Sequence, residues 1–169
     1  MTTQKIVIGI DPGSAVCGYG VIEKRGHDLH YLTSGDIKMS KGKPLFLRLR
    51  QLFEGLRGVI RDVKPDEAVI EKIFYARGKL AALNLGHARG VAMLAAAVED
   101  VPVAEYSALE IKKAVVGYGL ASKTQVIKMT MMILNIRNEL TADSADALAL
   151  AICHLNRLEP AKYIQASLS

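Results

Sequence analysis

The sequence predicts a single α/β domain in which helices flank both faces of a five-stranded mixed sheet. The first quarter of the chain consists of strand-length apolar and β-branched runs, whereas the remainder alternates short apolar runs with longer segments of helical periodicity. At 169 residues, half of them hydrophobic, the chain is long enough to bury one sizeable core. We assign this domain to residues 1–158 and a tail to residues 159–169.

Three strands are predicted ahead of the first helix. The run Lys5–Ile10 is apolar and β-branched, which is typical of a buried strand. Two more strand-like runs, Val16–Glu23 and Asp28–Met39, follow, with Gly26 in the short turn between them. We expect the three strands to form an antiparallel meander.

The later elements follow from changes in periodicity. Pro44–Val63 places its leucines on one helical face, and Pro65 suits a position just past the end of that helix. The next elements predicted are the strand Glu67–Glu71, the helix Lys79–Val98, the strand Pro102–Tyr106 and helices beginning at Ser107, Ser122 and Asp143. Right-handed crossovers make strands 1, 4 and 5 parallel, so that the predicted order is 3-2-1-4-5 with strand 2 antiparallel.

The composition argues against membrane and secreted proteins. No uninterrupted apolar run reaches the roughly 18 residues of a membrane span, and the N-terminus lacks the pattern of a signal peptide. Cys17 and Cys153 form no CxxC motif, so we expect reduced, structural thiols. We therefore expect a cytoplasmic protein without a membrane partner.

The positive charge is unevenly distributed along the chain. Lys and Arg number 22 against 17 Asp and Glu, a net charge of +5. The segment Lys38–Lys64 holds eight basic residues and two acids, and Lys72–Val98 holds four basic residues and no acid. This pattern favours a polyanionic partner such as a nucleic acid, although a generally basic soluble surface would look similar.

Four acids occupy positions that could form one site. Asp11 ends the first strand and Glu71 ends the fourth, and parallel neighbours bring such ends to the same edge of a sheet. Asp143 and Asp146 lie three residues apart at a helix start and share a face. Each acid also has an ordinary structural interpretation: a turn former, the exit of a strand, or an N-cap followed by an acidic residue in the first turn.

Clustered carboxylates favour a divalent cation, because the ion relieves their mutual repulsion. Oxygen-only ligands suit Mg²⁺ or Mn²⁺. Four carboxylates around two such ions are typical of two-metal phosphodiester hydrolysis. The surrounding lysines and arginines would then hold phosphates.

The motifs of this sequence resemble those of the RuvC-type Holliday junction resolvases. The segments that carry the resemblance are IGIDPGSAVCGYGVI, AVIEKIF, LNLGHARG, EIKKAVVGYGLASKTQV and TADSADALALA, in that order, over roughly residues 5–157. The resemblance implies an RNase H-like fold, in agreement with the predicted strand order. It also implies a nuclease that resolves Holliday junctions in recombination and repair, leaving 5′-phosphate and 3′-hydroxyl ends.

The resemblance assigns roles to individual residues. The implied metal ligands are Asp11, Glu71, Asp143 and Asp146, for what are expected to be two Mg²⁺ ions, with Mn²⁺ able to substitute. Lys112 and Lys123 match family lysines near the scissile phosphate, and Phe74 matches an aromatic residue that stacks on an unpaired base. Further candidate DNA contacts are Tyr75, Arg77, Lys79, Arg89 and Lys113.

The loop after Phe74 departs from the family pattern. Relatives often have Asn and Ser where this chain has Gly78 and Ala81. Arg77 and Lys79 could supply non-specific phosphate contacts in their place.

The resemblance also implies partners. These are a four-way DNA junction, a second copy of the chain in a homodimer, and the RuvA–RuvB branch-migration complex. The helix Lys79–Val98 is the candidate dimer interface, because Gly86 and Gly90 could let another helix approach closely. Burial of that helix within the monomer is the alternative.

Two other functions fit parts of the sequence. A sugar-kinase or Hsp70-like ATPase also begins with an apolar strand followed by Asp and Gly, but it needs two such domains and this chain offers one. A non-catalytic junction-binding protein would retain the basic surface while lacking a complete set of acids. Loss of nicking in an Asp11→Asn variant that still binds junctions would separate the nuclease from this last alternative.

Overall fold

The computed structural model describes residues 4–72 and 78–158, which form five strands and five helices. The strands are β1 (Gln4–Asp11), β2 (Val16–Arg25), β3 (Asp28–Lys38), β4 (Glu67–Glu71) and β5 (Val103–Tyr106). The helices are α1 (Leu45–Val63), α2 (Lys79–Val98), α3 (Ala108–Val116), α4 (Lys123–Ile133) and α5 (Ala142–Arg157). Each element lies close to its predicted position.

The sheet has the order β3-β2-β1-β4-β5. The β1–β2 and β2–β3 pairs are antiparallel, whereas β4 runs parallel to both β1 and β5. The predicted fold class and strand order are therefore confirmed. Central strand β1 is shielded on both faces, which explains its nearly continuous apolar sequence.

Two apolar layers cover the sheet. One contains Val7 and Val69 from the strands and packs against α3, α4 and α5. The other contains Ile8 and Ile70 and packs against α1 and α2. The alternation follows from the two-residue period of a strand, which sends neighbouring side chains to opposite faces.

Helix α5 lies unusually close to the strands because glycines face it. A Cβ on Gly9 would collide with the backbone carbonyl of Ala147, and a Cβ on Gly18 would collide with that of Asp143. The missing side chains therefore let the start of α5 sit directly above β1 and β2. This contact fixes the height of Asp143 and Asp146 over the sheet.

Side-chain caps define the starts of three helices. Ser107 and Ser122 each form a capping box, with Glu110 and Gln125 respectively. Helix α5 begins at Ala142, one residue earlier than predicted, and the side chain of Thr141 accepts the N–H of Ser144. The interpretation of Asp143 as the N-cap of this helix is therefore wrong, since Thr141 fills that position.

Helix α2 is the one helix in the described ranges that is long and apolar enough to cross a membrane, with a mean hydropathy of 1.2. Asn84, His87 and Arg89 interrupt its apolar residues, so that the helix contains no uninterrupted apolar run of that length. In the fold, alanines on one side of the helix are buried in the layer shared with α1. The composition of α2 thus reflects packing on the sheet on that side.

Candidate active site

The register of the parallel strands brings two acids together. Ile10 pairs with Ile70, so that Asp11 and Glu71 follow at adjacent positions on the same edge of the sheet. Both acids line a cleft of about 270 Å³. The strand pairing alone accounts for this meeting of residues that are far apart in the sequence.

Helix α5 adds the third carboxylate to the cleft. Asp146 lies in the second turn of α5 and lines the cleft beside Asp11 and Glu71. Asp143 lies in the first turn, outside the residues that line the cleft, but its negative charge still acts on Asp11. The fold therefore brings three of the four predicted acids into one cleft and leaves the fourth at its margin.

The carboxylates strongly perturb one another. The pKa of Asp11 is raised from 3.8 to about 7, first by burial and then by the charges of Asp146, Glu71 and Asp143. The pKa of Glu71 is also raised, by burial first and then by Asp146. The cleft thus concentrates more negative charge than its own lysines compensate.

Two lysines face the acids. Lys123 is the first residue of α4, and its Nζ lies 2.7 Å from Oδ2 of Asp146. That hydrogen bond is the main reason why the pKa of Lys123 is raised. Lys112, from α3, also lines the cleft, and its charge partly offsets the raised pKa of Glu71. Both predicted lysines therefore adjoin the acids.

The donor atoms fit a hard divalent cation by their chemistry, since the acids offer only carboxylate oxygens. As the side chains stand, no group of three or more Asp, Glu, His or Cys residues in the described part of the chain is arranged to hold an ion. One carboxylate oxygen of Asp146 is engaged by the Lys123 ammonium. Coordination would therefore require side-chain rotation within the cleft.

The predicted DNA contacts occupy different surroundings. Phe74, Tyr75 and Arg77 lie outside the described residues. Lys79 lies at the start of α2, along a second groove of about 690 Å³ that also includes Ser14. Lys113 is exposed on α3, next to the lysine in the cleft.

Arg89 has a different environment from the one its candidate role suggested. Its guanidinium is turned toward the sheet, where Nε donates to the backbone carbonyl of Glu71 at 3.3 Å and an Nη atom pairs with Glu105. Only 22% of the side chain is exposed.

Sequence reasoning missed two polar contacts that support the site. Arg48 of α1 donates to the backbone carbonyl of Ser14, in the turn that follows Asp11. Thr141 donates to Oδ1 of Asp36 at 2.8 Å, which ties the start of α5 to β3. The contact of Arg48 could have been suspected, because this charged residue interrupts the apolar face of a predicted helix. The contact of Thr141 left no local pattern in the sequence, because its partner lies 105 residues away.

Comparison with known proteins identifies a family. The family model for "Crossover junction endodeoxyribonuclease RuvC" matches residues 7–154. The protein of that name from Syntrophotalea carbinolica is 49% identical over 148 residues, covering 88% of this chain and 92% of the relative. The one from Shewanella sp. strain MR-4 is 50% identical over 149 residues, covering 88% and 86%.

A solved structure agrees with these matches. The structure of T. thermophilus RuvC in complex with a Holliday junction substrate superposes with a TM-score of 0.86 at 30% identity, covering 91% of this chain and 94% of that chain.

Proposed function

Because the chain belongs to the RuvC family of crossover junction endodeoxyribonucleases, we propose that it resolves four-way DNA junctions by hydrolysing phosphodiester bonds. The observation that carries this proposal is the cleft in which Asp11, Glu71 and Asp146 meet two lysines. We assign the activity to the domain of residues 1–158. The substrate is DNA, and the setting is recombination and repair in the cytoplasm.

Membership of the family implies use of a divalent metal ion. We propose Mg²⁺, two ions per site, held by Asp11, Glu71 and Asp146 with Asp143 at the margin, and Mn²⁺ as a substitute. Such ions supply a more acidic water and stabilise negative charge on phosphate oxygens. The raised pKa of Asp11 supports this proposal, because added positive charge in the cleft would favour its ionised form.

The two lysines have a separate role in this proposal. When water attacks phosphorus and the bond to the 3′-oxygen breaks, negative charge grows on the oxygens around phosphorus. Lys112 and Lys123 line the cleft where that charge would develop, so their ammonium groups would stabilise the transition state. The products are a 5′-phosphate and a 3′-hydroxyl, which a ligase can join.

The DNA path would extend from the cleft over exposed basic residues. Lys79 and Lys113 are exposed and would contact phosphates, which position DNA without reading its sequence. Phe74 would stack on an unpaired base, and Tyr75 and Arg77 belong to the same segment.

We further propose that α2 forms the interface of a homodimer. Its outward face exposes Leu83 and Leu94 at 57% and 53%. Among the described residues, and apart from the nearby backbone of α2 itself, no atom lies within 4 Å of a Cβ added to Gly86 or Gly90, so that both are open to a neighbour. A two-fold dimer would present two sites to the two-fold symmetry of a junction, and the RuvA–RuvB complex would be its partner.

The direct test compares Asp11→Asn with wild type on a synthetic mobile four-way junction, with and without Mg²⁺. We expect the variant to bind the junction and to lose Mg²⁺-dependent nicking. Asp62→Asn is the matched control, because Asp62 is an exposed acid on α1, outside the cleft. Nicking by Asp11→Asn at the wild-type rate would refute the assignment of Asp11.

The same experiment addresses the non-catalytic alternative. If the wild-type protein bound the junction but left every strand intact with both Mg²⁺ and Mn²⁺, it would be a non-catalytic junction-binding protein. Equal affinity for linear duplex and for a four-way junction would instead remove the structure-selective part of the proposal.

A further inference from the structure

Arg89 connects three elements on the face of the sheet opposite the cleft. Its guanidinium donates to the carbonyl of Glu71 on β4, pairs with Glu105 on β5, and lies 3.5 Å from the sulfur of Met93 on its own helix. Glu105 is in register with a β4 residue whose side chain belongs to the α1–α2 layer. Arg89 thus approaches the strand end from the side away from the carboxylate cluster.

The carbonyl that Arg89 contacts lacks a donor from the sheet. The N–H groups of Ala68 and Lys72 donate to β5, and backbone groups alternate between the two edges of a strand, so the carbonyl of Glu71 faces β1. The next position on β1 is Pro12, which has no N–H to donate. Arg89 supplies the missing donor.

The position of this bond matters because Glu71 is the last residue of β4. Its side chain reaches the cleft on the other face, whereas its backbone forms the final link of the ladder. The N–H of the Glu71–Lys72 peptide donates to the carbonyl of Tyr106, but without Arg89 its carbonyl would lose its donor. The peptide would then be held on one side, and the carboxylate could shift with it. The hydrogen bond from the charged Arg89 guanidinium gives the Glu71 carbonyl a donor and holds this peptide on its second side.

We infer that Arg89 is a positioning residue for the nuclease site, which sets Glu71 through the backbone rather than by contacting DNA. Glu105 orients the guanidinium for this role. The inference rests on the proposed function, since it concerns the carboxylate that Glu71 contributes to the cleft.

The test uses Arg89→Gln and the matched control Arg50→Gln, which removes the same charge from an exposed ion pair with Glu54 on α1. We expect single-turnover nicking by Arg89→Gln to fall about 10- to 100-fold, as when groups that orient metal ligands are lost. The Mg²⁺ concentration for half-maximal rate should rise. Affinity for the junction without metal should match that of Arg50→Gln.

A second readout does not depend on activity. In the metal-free protein, amide hydrogen exchange at Lys72 should be faster in Arg89→Gln than in Arg50→Gln, because the peptide between Glu71 and Lys72 has lost one of its two hydrogen bonds and keeps the one to Tyr106. Glu105→Gln should show a smaller change in the same direction, and serves if Arg89→Gln does not fold. Arg89→Lys, which keeps the charge, should recover part of the rate.

Three results would overturn the inference. One is wild-type nicking and wild-type exchange at Lys72 in a folded Arg89→Gln protein. Another is a loss of junction affinity that tracks the loss of rate, with the salt dependence of binding reduced by about 0.9 in log–log slope, which would make Arg89 a phosphate contact. The third is an equal effect in Arg50→Gln. Failure of the wild type itself to nick would instead refute the proposed function.

Discussion

At the scale of single residues, the charge of Asp11 affects the stability of the metal-free fold. Its ionised form is unfavourable in the metal-free cleft, since burial and three neighbouring acids all oppose the charge. The folded chain therefore binds a proton at Asp11 more tightly than the unfolded chain does. Stability that depends on this proton is present at low pH and is lost as the pH rises from about 4 to about 7.

Replacing Asp11 by Asn should stabilise the metal-free protein at neutral pH. The rise in pKa from 3.8 to about 7 corresponds to at most about 4 kcal/mol at pH 8. Thermal unfolding at pH 8 without metal should give a higher Tm for Asp11→Asn than for wild type, whereas the two should converge near pH 4. A lower Tm for the variant at pH 8 would contradict the electrostatic account of this cleft.

Lys123 should contribute to the rate of cleavage rather than to junction binding. Its ammonium group lies at the cleft, where it would face charge that develops in the transition state. We expect Lys123→Gln to lower the single-turnover rate by about 100-fold or more. Lys128→Gln, at an exposed position on the same helix, is the control and should nick at nearly the wild-type rate.

At the scale of elements, the contact between α5 and the strands sets the height of two acids. Gly9 and Gly18 provide that contact, because any side chain there would strike the backbone of α5. A side chain has no such consequence at a glycine that has space around it. Gly58, in the middle of α1, has open space around the position of a Cβ.

Gly9→Ala and Gly58→Ala should therefore change stability in opposite directions. We expect Gly9→Ala to lower the free energy of unfolding by about 1–3 kcal/mol, the typical cost of overpacking, and to slow nicking as Asp146 shifts. Gly58→Ala should raise it by about 0.5–1 kcal/mol, because alanine is the better helix former. Urea unfolding measures both, and a stabilised Gly9→Ala would disprove the close contact.

The positions of the helices and strands also show which features of the site were predictable from the sequence. Parallel strand ends predict the meeting of Asp11 and Glu71, because pairing follows from local patterns and crossover handedness. The inward turn of Arg89 was not predictable, since helical periodicity cannot tell a DNA-facing arginine from one that reaches a strand end. Neither the Thr141–Asp36 bond nor the ion pair of Lys123 with Asp146 leaves a trace in local sequence.

At the scale of the whole molecule, the outward face of α2 exposes apolar side chains that include Leu83 and Leu94. We expect Leu83→Glu combined with Leu94→Glu to convert a dimer into a monomer, measured by sedimentation equilibrium, because charges would be buried at the interface. Met132→Glu, on an exposed side chain of α4, is the control and should remain dimeric. A monomeric wild type at micromolar concentration would refute the proposed interface.

The positive surface should make junction binding strongly dependent on salt. The chain carries a net charge of +5, and its densest basic segment, Lys38–Lys64, includes helix α1. Log affinity should fall with log salt by about 0.9 for each phosphate contacted. Titration of a labelled junction from low to high salt in the absence of metal measures this slope, and a flat response would contradict a role for the basic residues.

Helix α2 contributes to both the active site and the proposed dimer interface. One side of it holds the peptide of Glu71 through Arg89, and the opposite side carries the exposed leucines. If two copies of the chain meet there, their association would also tighten the end of β4. A solitary subunit would then be a poor cutter even when bound to DNA. Such an arrangement would act as a safeguard, because an unmatched incision in one strand would leave the exchange between two chromosomes half undone.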